Sequence, residues 1–171
     1  MSQTPTGEND DRHWIGFDLG GTKMLATVFN NEFKKVGRAR KKTKGRDGMK
    51  AGLLRINTVI EDAMNDAGIT AENVSGLGIG CPGPLDLEKR QIRTAPNLGW
   101  DNVPVAKSIE NEFKFPVAIA NDVDAGVFGE YKFGAGKNAR CVFGIFPGTG
   151  IGGGCVYEGR LFRGANCTCM E

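Results

Sequence analysis

Asp18-Leu19-Gly20-Gly21-Thr22-Lys23 separates two apolar segments near the start of this 171-residue sequence. The segments, 13–18 and 24–30, are predicted to be β-strands. Two consecutive glycines between strands favour a tight hairpin turn. Backbone N–H groups without side chains in the way, a hydroxyl and a cation are the groups that bind a phosphate chain. The stretch therefore predicts a phosphate-binding turn at residues 20–23, and a hairpin that binds nothing is the alternative for this motif by itself.

The carboxylate of Asp18 comes at the end of the first predicted strand, directly before this turn. Oxygen ligands and retained water molecules are what Mg²⁺ prefers in proteins. We therefore expect Asp18 to hold Mg²⁺ through a water molecule.

A second glycine-rich turn lies near the end of the sequence. Gly148-Thr149-Gly150 separates the apolar segments 140–146 and 152–157, which are also predicted strands. Two such hairpins in one chain are harder to explain as ordinary turns, although an over-flexible turn remains the alternative. Facing each other, the two turns would contact the terminal phosphates of one ligand from opposite sides.

The region between the two turns alternates strands and helices. A third strand is predicted over 32–43. A helix is predicted over 47–67, because apolar residues recur every three or four positions; Asp47 is its candidate N-cap and Gly68 its stop. Further expected elements are a strand over 73–80, a helix over 103–113 that Pro116 cannot continue, a strand over 117–120 and a helix that opens at Asn121-Asp122. A meander followed by this alternation predicts an α/β fold with a mixed sheet covered by helices, and the pattern restarts near residue 139.

Asp122 stands at the junction of a predicted strand and a predicted helix. A helix N-terminus stabilises a negative charge there. Such a carboxylate can accept the proton of a substrate hydroxyl during phosphoryl transfer, a step dominated by positioning and electrostatics. From periodicity alone, an N-cap aspartate with no other role is the better interpretation.

Composition indicates an ordinary globular protein. Hydrophobic residues make up 40% and charged residues 25% of the sequence, and the net charge is +2. That charge gives no reason to expect nucleic acid, and the basic run 38–44 is interpreted as a solvated strand edge. No apolar stretch approaches the ~20 residues of a membrane span. The polar segment 1–12 is expected to be a disordered tail, and the odd number of five cysteines indicates reduced thiols in a cytoplasmic protein.

Six short motifs, taken together, resemble the ROK family (repressors, open reading frames and kinases), which includes bacterial glucokinases. They are Asp18-Leu-Gly-Gly-Thr-Lys23, Gly80-Cys-Pro-Gly-Pro84, Pro96-Asn-Leu-Gly-Trp100, Asn121-Asp122, Gly148-Thr-Gly-Ile-Gly-Gly-Gly154 and Arg163-Gly-Ala-Asn166, in the family's order. The resemblance implies a ribonuclease-H-like (actin-like ATPase) lobe, plus the start of a second similar lobe. It divides the chain into a tail (1–12), an N-terminal lobe (13–138) and an incomplete start of the C-terminal lobe (139–171).

The resemblance also implies a hexose kinase of the glucokinase type that uses ATP and Mg²⁺ to phosphorylate a 6-hydroxyl. Asp122 would be the general base. The implied sugar-binding residues are Gly83, Asn97, Asn121, Asp122 and Glu171. The implied phosphate-binding segments are Gly20, Gly21, Thr22 and Lys23 together with Gly148, Thr149 and Gly150. The family's zinc motif falls beyond Glu171 and has no counterpart in this sequence, so we expect the chain to be an incomplete N-terminal portion with weak or absent activity.

Two other functions stay open within the resemblance. The first is a sugar-sensing transcriptional regulator of the same family, and the second is a non-catalytic sugar-binding or assembly module. The expected partners are a hexose, ATP and further copies of the same chain, because a lobe without its partner exposes apolar surface. Neither nucleic acid nor a membrane is an expected partner.

Overall fold

The computed structural model of the protein describes residues 12–147 and 151–163. In chain order the elements are β1 (His13–Leu19), β2 (Lys23–Phe29), β3 (Lys35–Lys42), α1 (Met49–Ala67), β4 (Val74–Cys81), β5 (Leu85–Asp86), β6 (Gln91–Ala95), β7 (Trp100–Val103), α2 (Val105–Phe113), β8 (Val117–Asn121), α3 (Asp122–Phe133), β9 (Cys141–Pro147), β10 (Ile151–Tyr157) and β11 (Arg160–Leu161). In the described ranges no helix has the length and apolar character needed to cross a membrane.

A five-stranded mixed sheet in the order β3-β2-β1-β4-β8 forms the centre of the molecule. The pairs β1–β2 and β2–β3 are antiparallel, whereas β1–β4 and β4–β8 are parallel. The short turns of the meander allow only antiparallel neighbours, and the helical connections through α1 and α2 return the chain in the parallel direction. The predicted mixed sheet is therefore confirmed, and the basic run lies on the edge strand β3.

The core lies between one face of this sheet and α1. The strand β2 buries Met24, Ala26 and Val28 completely, because alternate residues of a strand point to the same side. On the side of α1 that faces the sheet, Ile56 and Ile60 are likewise completely buried. Full burial of such side chains contributes about 1.5–3 kcal/mol each, so the period-3.6 pattern of α1 accounts for its packing.

The start of α1 differs from the expectation that Asp47 caps it. Gly48 occupies the N-cap position with φ 90°, and Asp47 belongs to a preceding short 3-10 turn. The Asp47 carboxylate accepts a hydrogen bond from the Arg55 guanidinium at 2.8 Å instead of from a backbone N–H. The end of the helix is as predicted: Gly68 is left-handed at φ 69° and its N–H donates to the Asn65 carbonyl at 3.1 Å.

A small antiparallel sheet, β5-β6-β7, fills the region from 85 to 103, for which the sequence patterns predicted no element. Its first strand has two residues and its third has four, too short for periodicity to show. Trp100 and Leu98 anchor this sheet, since both are buried against glycines of the α1 region. A Cβ on Gly52 would lie 2.0 Å from the Trp100 ring, and one on Gly45 would lie 2.9 Å from the Leu98 side chain.

Gly52→Ala is expected to destabilise the protein by about 1–3 kcal/mol, because the added methyl overlaps the Trp100 ring inside a close-packed core. Urea unfolding followed by fluorescence measures the change. Gly129→Ala is the matched control, since Gly129 also lies within a helix but has open space at its Cβ position. The control is expected to be neutral or more stable by up to ~1 kcal/mol. Equal losses in both variants would contradict the steric explanation.

A separate three-stranded sheet, β11-β10-β9, packs on α3. Glycines allow the close approach: a Cβ on Gly144 would lie 2.3 Å from the Val127 side chain, and one on Gly152 would lie 2.7 Å from that of Val123. Because α3 also contacts β4 and β8, this helix joins the second sheet to the central one.

Candidate active site

One cleft of about 1120 Å³ lies over the carboxyl ends of β1, β4 and β8, between the central sheet and the strands β9 and β10. The cleft brings together six of the residues singled out from the sequence. They are Asp18, Gly21, Thr22, Gly83, Asn97 and Asp122. Ligands commonly bind outside the carboxyl ends of strands in open α/β sheets, where helix N-termini and loops converge.

The turn between β1 and β2 is held in shape from behind by Thr43. The Thr43 hydroxyl donates to the Gly20 carbonyl at 2.6 Å, and its N–H donates to the Thr22 carbonyl at 2.9 Å. The Gly20 N–H closes the turn on the Lys23 carbonyl at 3.0 Å. No hydrogen bond within residues 12–147 and 151–163 uses the N–H groups of Gly21 and Thr22. These two donors are therefore available to an anion in the cleft.

Asp18 lies just before the turn and lines the cleft, and it pairs with Gly80 in the neighbouring strand β4. Partial burial raises the pKa of Asp18 above its ordinary value, because the surrounding protein removes water from the charged form. A raised pKa means that ionising this carboxyl costs more in the folded chain than in water. A cation beside Asp18 would offset this penalty, so the environment suits the predicted Mg²⁺ contact.

Asp122 is the first residue of α3 and directly follows β8. Its Oδ1 accepts a hydrogen bond from the Val123 N–H at 3.0 Å. Asp122 lies against β4, since a Cβ on Gly80 would be in ordinary contact with the Asp122 Cα at 3.5 Å. The carboxylate thus combines a helix N-terminus, which stabilises its charge, with a position in the cleft wall.

Asn121 lies one residue earlier and caps α3. Its side-chain oxygen accepts from the N–H groups of Val123 at 2.9 Å and Asp124 at 3.1 Å, and the residue is buried. Asn121 does not line the cleft, so its visible contribution is to fix the first turn of α3 and with it Asp122.

Asn121→Ala is expected to cost about 0.5–2 kcal/mol of unfolding free energy, because the Asp124 N–H loses its acceptor and the Val123 N–H is left with Asp122 alone. Chemical denaturation monitored by circular dichroism gives the value. Asn121→Ser, which keeps an oxygen at the cap, is the control and should retain most of the stability. A full loss in the serine variant would show that the cap is not the source.

Cys81 lies behind the site at the end of β4. Burial, and secondarily the negative charge of Asp122, raises the pKa of its thiol to about 12. The thiolate is therefore negligible at neutral pH, and Cys81 is no candidate nucleophile.

Gly83 and Asn97 are carried into the cleft by the small sheet β5-β6-β7. Gly83 has φ 75°, and a Cβ there would lie 2.4 Å from the Thr94 carbonyl oxygen. Asn97 lies in the connection between β6 and β7, and its Cβ is 3.6 Å from the Cβ position of Gly21. The structure thus brings a residue of the predicted sugar site next to the predicted phosphate turn.

The remaining predicted site residues are placed differently. Gly20 and Lys23 belong to the turn but do not line the cleft, while Gly148, Thr149, Gly150 and Glu171 lie outside the described residues. The strands that flank residues 148–150 reach the cleft through Phe146, Pro147, Ile151 and Gly152. Sequence reasoning missed these four as lining residues, and it also missed the supporting hydroxyl of Thr43. Ile151 and Gly152 belong to the quoted motif 148–154 without having been singled out, and neither a motif nor a charge marks Phe146, Pro147 or Thr43. Only the hairpin pairing of β9 with β10 indicates that the first four lie together.

No group of three or more His, Cys, Asp or Glu side chains suited to a metal ion occurs in the part of the chain that the structure describes. The donor set that does face the cleft consists of two carboxylates, Asp18 and Asp122, together with the backbone N–H groups of Gly21 and Thr22. Such a set fits an anion accompanied by one hard cation better than a tightly held structural metal.

The chain resembles known proteins in sequence and in fold. The model of the ROK family matches residues 14–171. The chain is 35% identical over 150 residues to the glucokinase of Streptomyces coelicolor, covering 88% of this chain and 45% of that protein. It is 37% identical over 162 residues to the xylose repressor of Caldicellulosiruptor bescii, covering 88% of this chain and 38% of that protein.

Among solved structures, a ROK family glucokinase from Streptomyces griseus in complex with glucose and AMPPNP gives a TM-score of 0.82 at 31% identity. The match covers 93% of this chain and 49% of that one. The likeness confirms the predicted ribonuclease-H-like, actin-like ATPase fold class. The chain spans less than half the length of each of these three relatives.

Proposed function

This chain belongs to the ROK family, and from that premise we propose that the protein transfers the terminal phosphoryl group of ATP to the 6-hydroxyl of a hexose, with glucose as the first candidate. One observation carries the proposal. A carboxylate at a helix N-terminus, Asp122, shares a cleft with the unused N–H groups of Gly21 and Thr22, and Asn97 lies beside that turn.

In the proposed reaction, Asp122 accepts the proton of the sugar hydroxyl while the hydroxyl oxygen bonds to the γ-phosphorus. The bond from that phosphorus to the bridging oxygen breaks, and ADP leaves with the electron pair. The turn of Gly20, Gly21, Thr22 and Lys23 would bind phosphate oxygens. Asp18 would hold, through a bridging water molecule, the Mg²⁺ that accompanies ATP. The turn of Gly148, Thr149 and Gly150 is proposed to contact the same phosphates from the β9–β10 side.

The hexose is proposed to lie against Gly83, Asn97 and Asp122, with Glu171 as a further ligand of its hydroxyls. Asn121 supports this site through its cap on α3 rather than through the cleft wall. We also propose that the chain consists of an N-terminal lobe over 13–138 and the start of a second lobe over 139–171. The separate sheets on the two sides of α3 favour that division.

The test is a coupled assay of ADP release with the protein expressed from its whole reading frame. Glucose, fructose, mannose and N-acetylglucosamine are offered in turn with Mg²⁺ and ATP. Turnover with one hexose supports the proposal, and its absence with all four contradicts it. The 171-residue chain spans less than half the length of the kinases it matches, so on its own it is expected to show weak or no turnover, and robust activity there would refute this expectation.

A sugar-responsive transcriptional regulator is the second candidate, because the identity to a xylose repressor is as high as that to a glucokinase. Calorimetry with glucose, with xylose and with an ATP analogue separates the two functions. A kinase binds both the sugar and the nucleotide, whereas a regulator binds its sugar without a need for the nucleotide.

A further inference from the structure

The direction of one free donor in the turn at residues 20–23 is set from behind by Thr43. The Thr43 hydroxyl donates a hydrogen bond to the Gly20 carbonyl at 2.6 Å. That carbonyl and the Gly21 N–H belong to the same peptide unit, which is planar and trans, so the two groups point in opposite directions. The bond from Thr43 therefore turns the Gly21 N–H away from Thr43, and Gly21 lines the cleft.

Thr43 uses all of its polar groups in this arrangement. Besides its hydroxyl, its N–H donates to the Thr22 carbonyl at 2.9 Å, and its own carbonyl accepts from the Arg55 guanidinium at 2.6 Å. The residue is completely buried. Because Thr43 holds the turn at two carbonyls, whatever fixes the position of Thr43 also fixes the turn.

Arg55 connects Thr43 to the helix α1. Its Nη1 donates to the Thr43 carbonyl, and its Nη2 donates to Oδ2 of Asp47 at 2.8 Å. Hydrogen bonds from a charged donor are shorter and stronger than those between neutral groups. The next residue, Ile56, is completely buried in the core, so Arg55 projects from a part of α1 that is firmly packed. The back of the turn is thus tied to a rigid helix.

The backbone that Arg55 binds is in an unfavourable conformation. The Thr43 carbonyl belongs to the peptide unit that leads into Lys44, and Lys44 is left-handed with φ 50° and ψ 49°. A residue other than glycine keeps such a conformation only where its surroundings hold it. Without the guanidinium we expect this backbone to relax and to move Thr43 away from the turn.

A purely structural role at the start of α1 is the alternative for Arg55, because Asp47 lies just before the helix. The Asp47 carboxylate is about half exposed, however, and exposed ion pairs contribute little to stability. Such a role also needs no bond to Thr43. The two interpretations differ in which partner of Arg55 matters, and substitutions can remove either partner separately.

We infer that Arg55, acting through Thr43, is a positioning residue that keeps the Gly21 N–H directed at the terminal phosphates of ATP. The inference deepens the proposed kinase function and rests on it for the identity of the anion. Arg55 does not line the cleft, so it acts on the ligand only through the turn.

The experiment titrates the protein, expressed from its whole reading frame, with a non-hydrolysable ATP analogue and Mg²⁺ in a calorimeter. The test variants are Arg55→Met and Thr43→Val, and the controls are Asp47→Ala, which removes only the ion pair, and Thr43→Ser, which keeps the hydroxyl. We expect the test variants to bind the analogue at least about tenfold more weakly and the controls to stay within about threefold. Partial unfolding would lower the number of binding sites rather than the affinity.

Hydrogen exchange without any ligand tests the turn independently of the kinase function. The Gly20 N–H is bonded to the Lys23 carbonyl, and we expect it to exchange at least about tenfold faster in Arg55→Met than in the wild type or in Asp47→Ala. If the wild type binds no analogue, the kinase proposal fails, and the exchange of Gly20 alone then decides whether Arg55 holds the turn.

Two results overturn the inference. The first is wild-type affinity for the analogue, or an unchanged Gly20 exchange rate, in Arg55→Met. The second is an equal loss of affinity in Asp47→Ala and Arg55→Met, which assigns Arg55 to the start of the helix. Thermal unfolding checks that the variants are folded, and Arg55→Gln replaces Arg55→Met if the latter is not.

Discussion

Asp122→Asn is expected to lower kcat for hexose phosphorylation by about 10²–10⁴-fold and to leave the fold intact. The amide has nearly the same shape as the carboxylate and can still accept the Val123 N–H at the start of α3. It cannot take the proton of the sugar hydroxyl. The loss should therefore appear in kcat, while the KM for ATP changes little, because the proposed phosphate-binding turn is a separate part of the cleft lining.

Asp101→Asn is the matched control for this substitution, since Asp101 is an exposed aspartate of β7 that does not line the cleft. Coupled ADP release by the protein expressed from its whole reading frame measures both variants, and thermal unfolding checks their stability. If Asp122→Asn keeps more than about a tenth of the wild-type kcat, Asp122 is not the general base and acts only in the first turn of its helix.

Local sequence patterns were sufficient for the parts of the fold that repeat regularly. The glycine pair between two apolar segments predicted the β1–β2 hairpin, and the period of α1 identified Ile56, Ile60 and Ala63 among its buried residues. The two ends of α1 were less predictable from the sequence. Gly68 has one reason to end a helix, whereas Asp47 could pair either with a backbone N–H or with a cation, and the structure pairs it with Arg55.

The small sheet β5-β6-β7 shows why tertiary contacts escape local patterns. Its strands are too short for a periodic signal, and its position depends on Trp100 fitting against Gly52, a contact between residues far apart in the sequence. The candidate site was also predictable only in part, because the motifs name its residues but not their contacts. Motif order assigned Asp122, Asn97 and Gly83 to one function, but only the fold shows that Gly21 and Asn97 lie side by side.

Two adjacent residues at the start of α3 have different roles, and the sequence alone did not show which of them caps the helix. An aspartate at a strand–helix junction is most simply an N-cap, yet here Asn121 fills the cap and satisfies the first N–H groups. Asp122 is therefore not needed as the cap. Asp122 also lines the cleft, so its position suits the proposed catalytic role as well as a structural one.

Gly83→Ala is expected to disrupt strongly the proposed sugar side of the cleft, which Gly83 and Asn97 line. Gly83 has φ 75°, where an added Cβ costs roughly 1–2 kcal/mol, and that Cβ would lie only 2.4 Å from the Thr94 carbonyl oxygen. The contact involves backbone, which cannot move without displacing β6. Because β6 leads into the connection that carries Asn97, we expect a loss of stability of about 3 kcal/mol or more and at least tenfold weaker glucose binding.

Gly99→Ala separates the two causes, since Gly99 shares the left-handed conformation at φ 66° but has open space at its Cβ position. Strain alone therefore predicts equal effects of about 1–2 kcal/mol in both variants. The clash with Thr94 predicts a clearly larger loss for Gly83→Ala, measured by urea unfolding and by calorimetry with glucose. If the two variants match in stability and in glucose affinity, the close contact between Gly83 and Thr94 does not position the sugar side of the cleft, and the small sheet tolerates movement there.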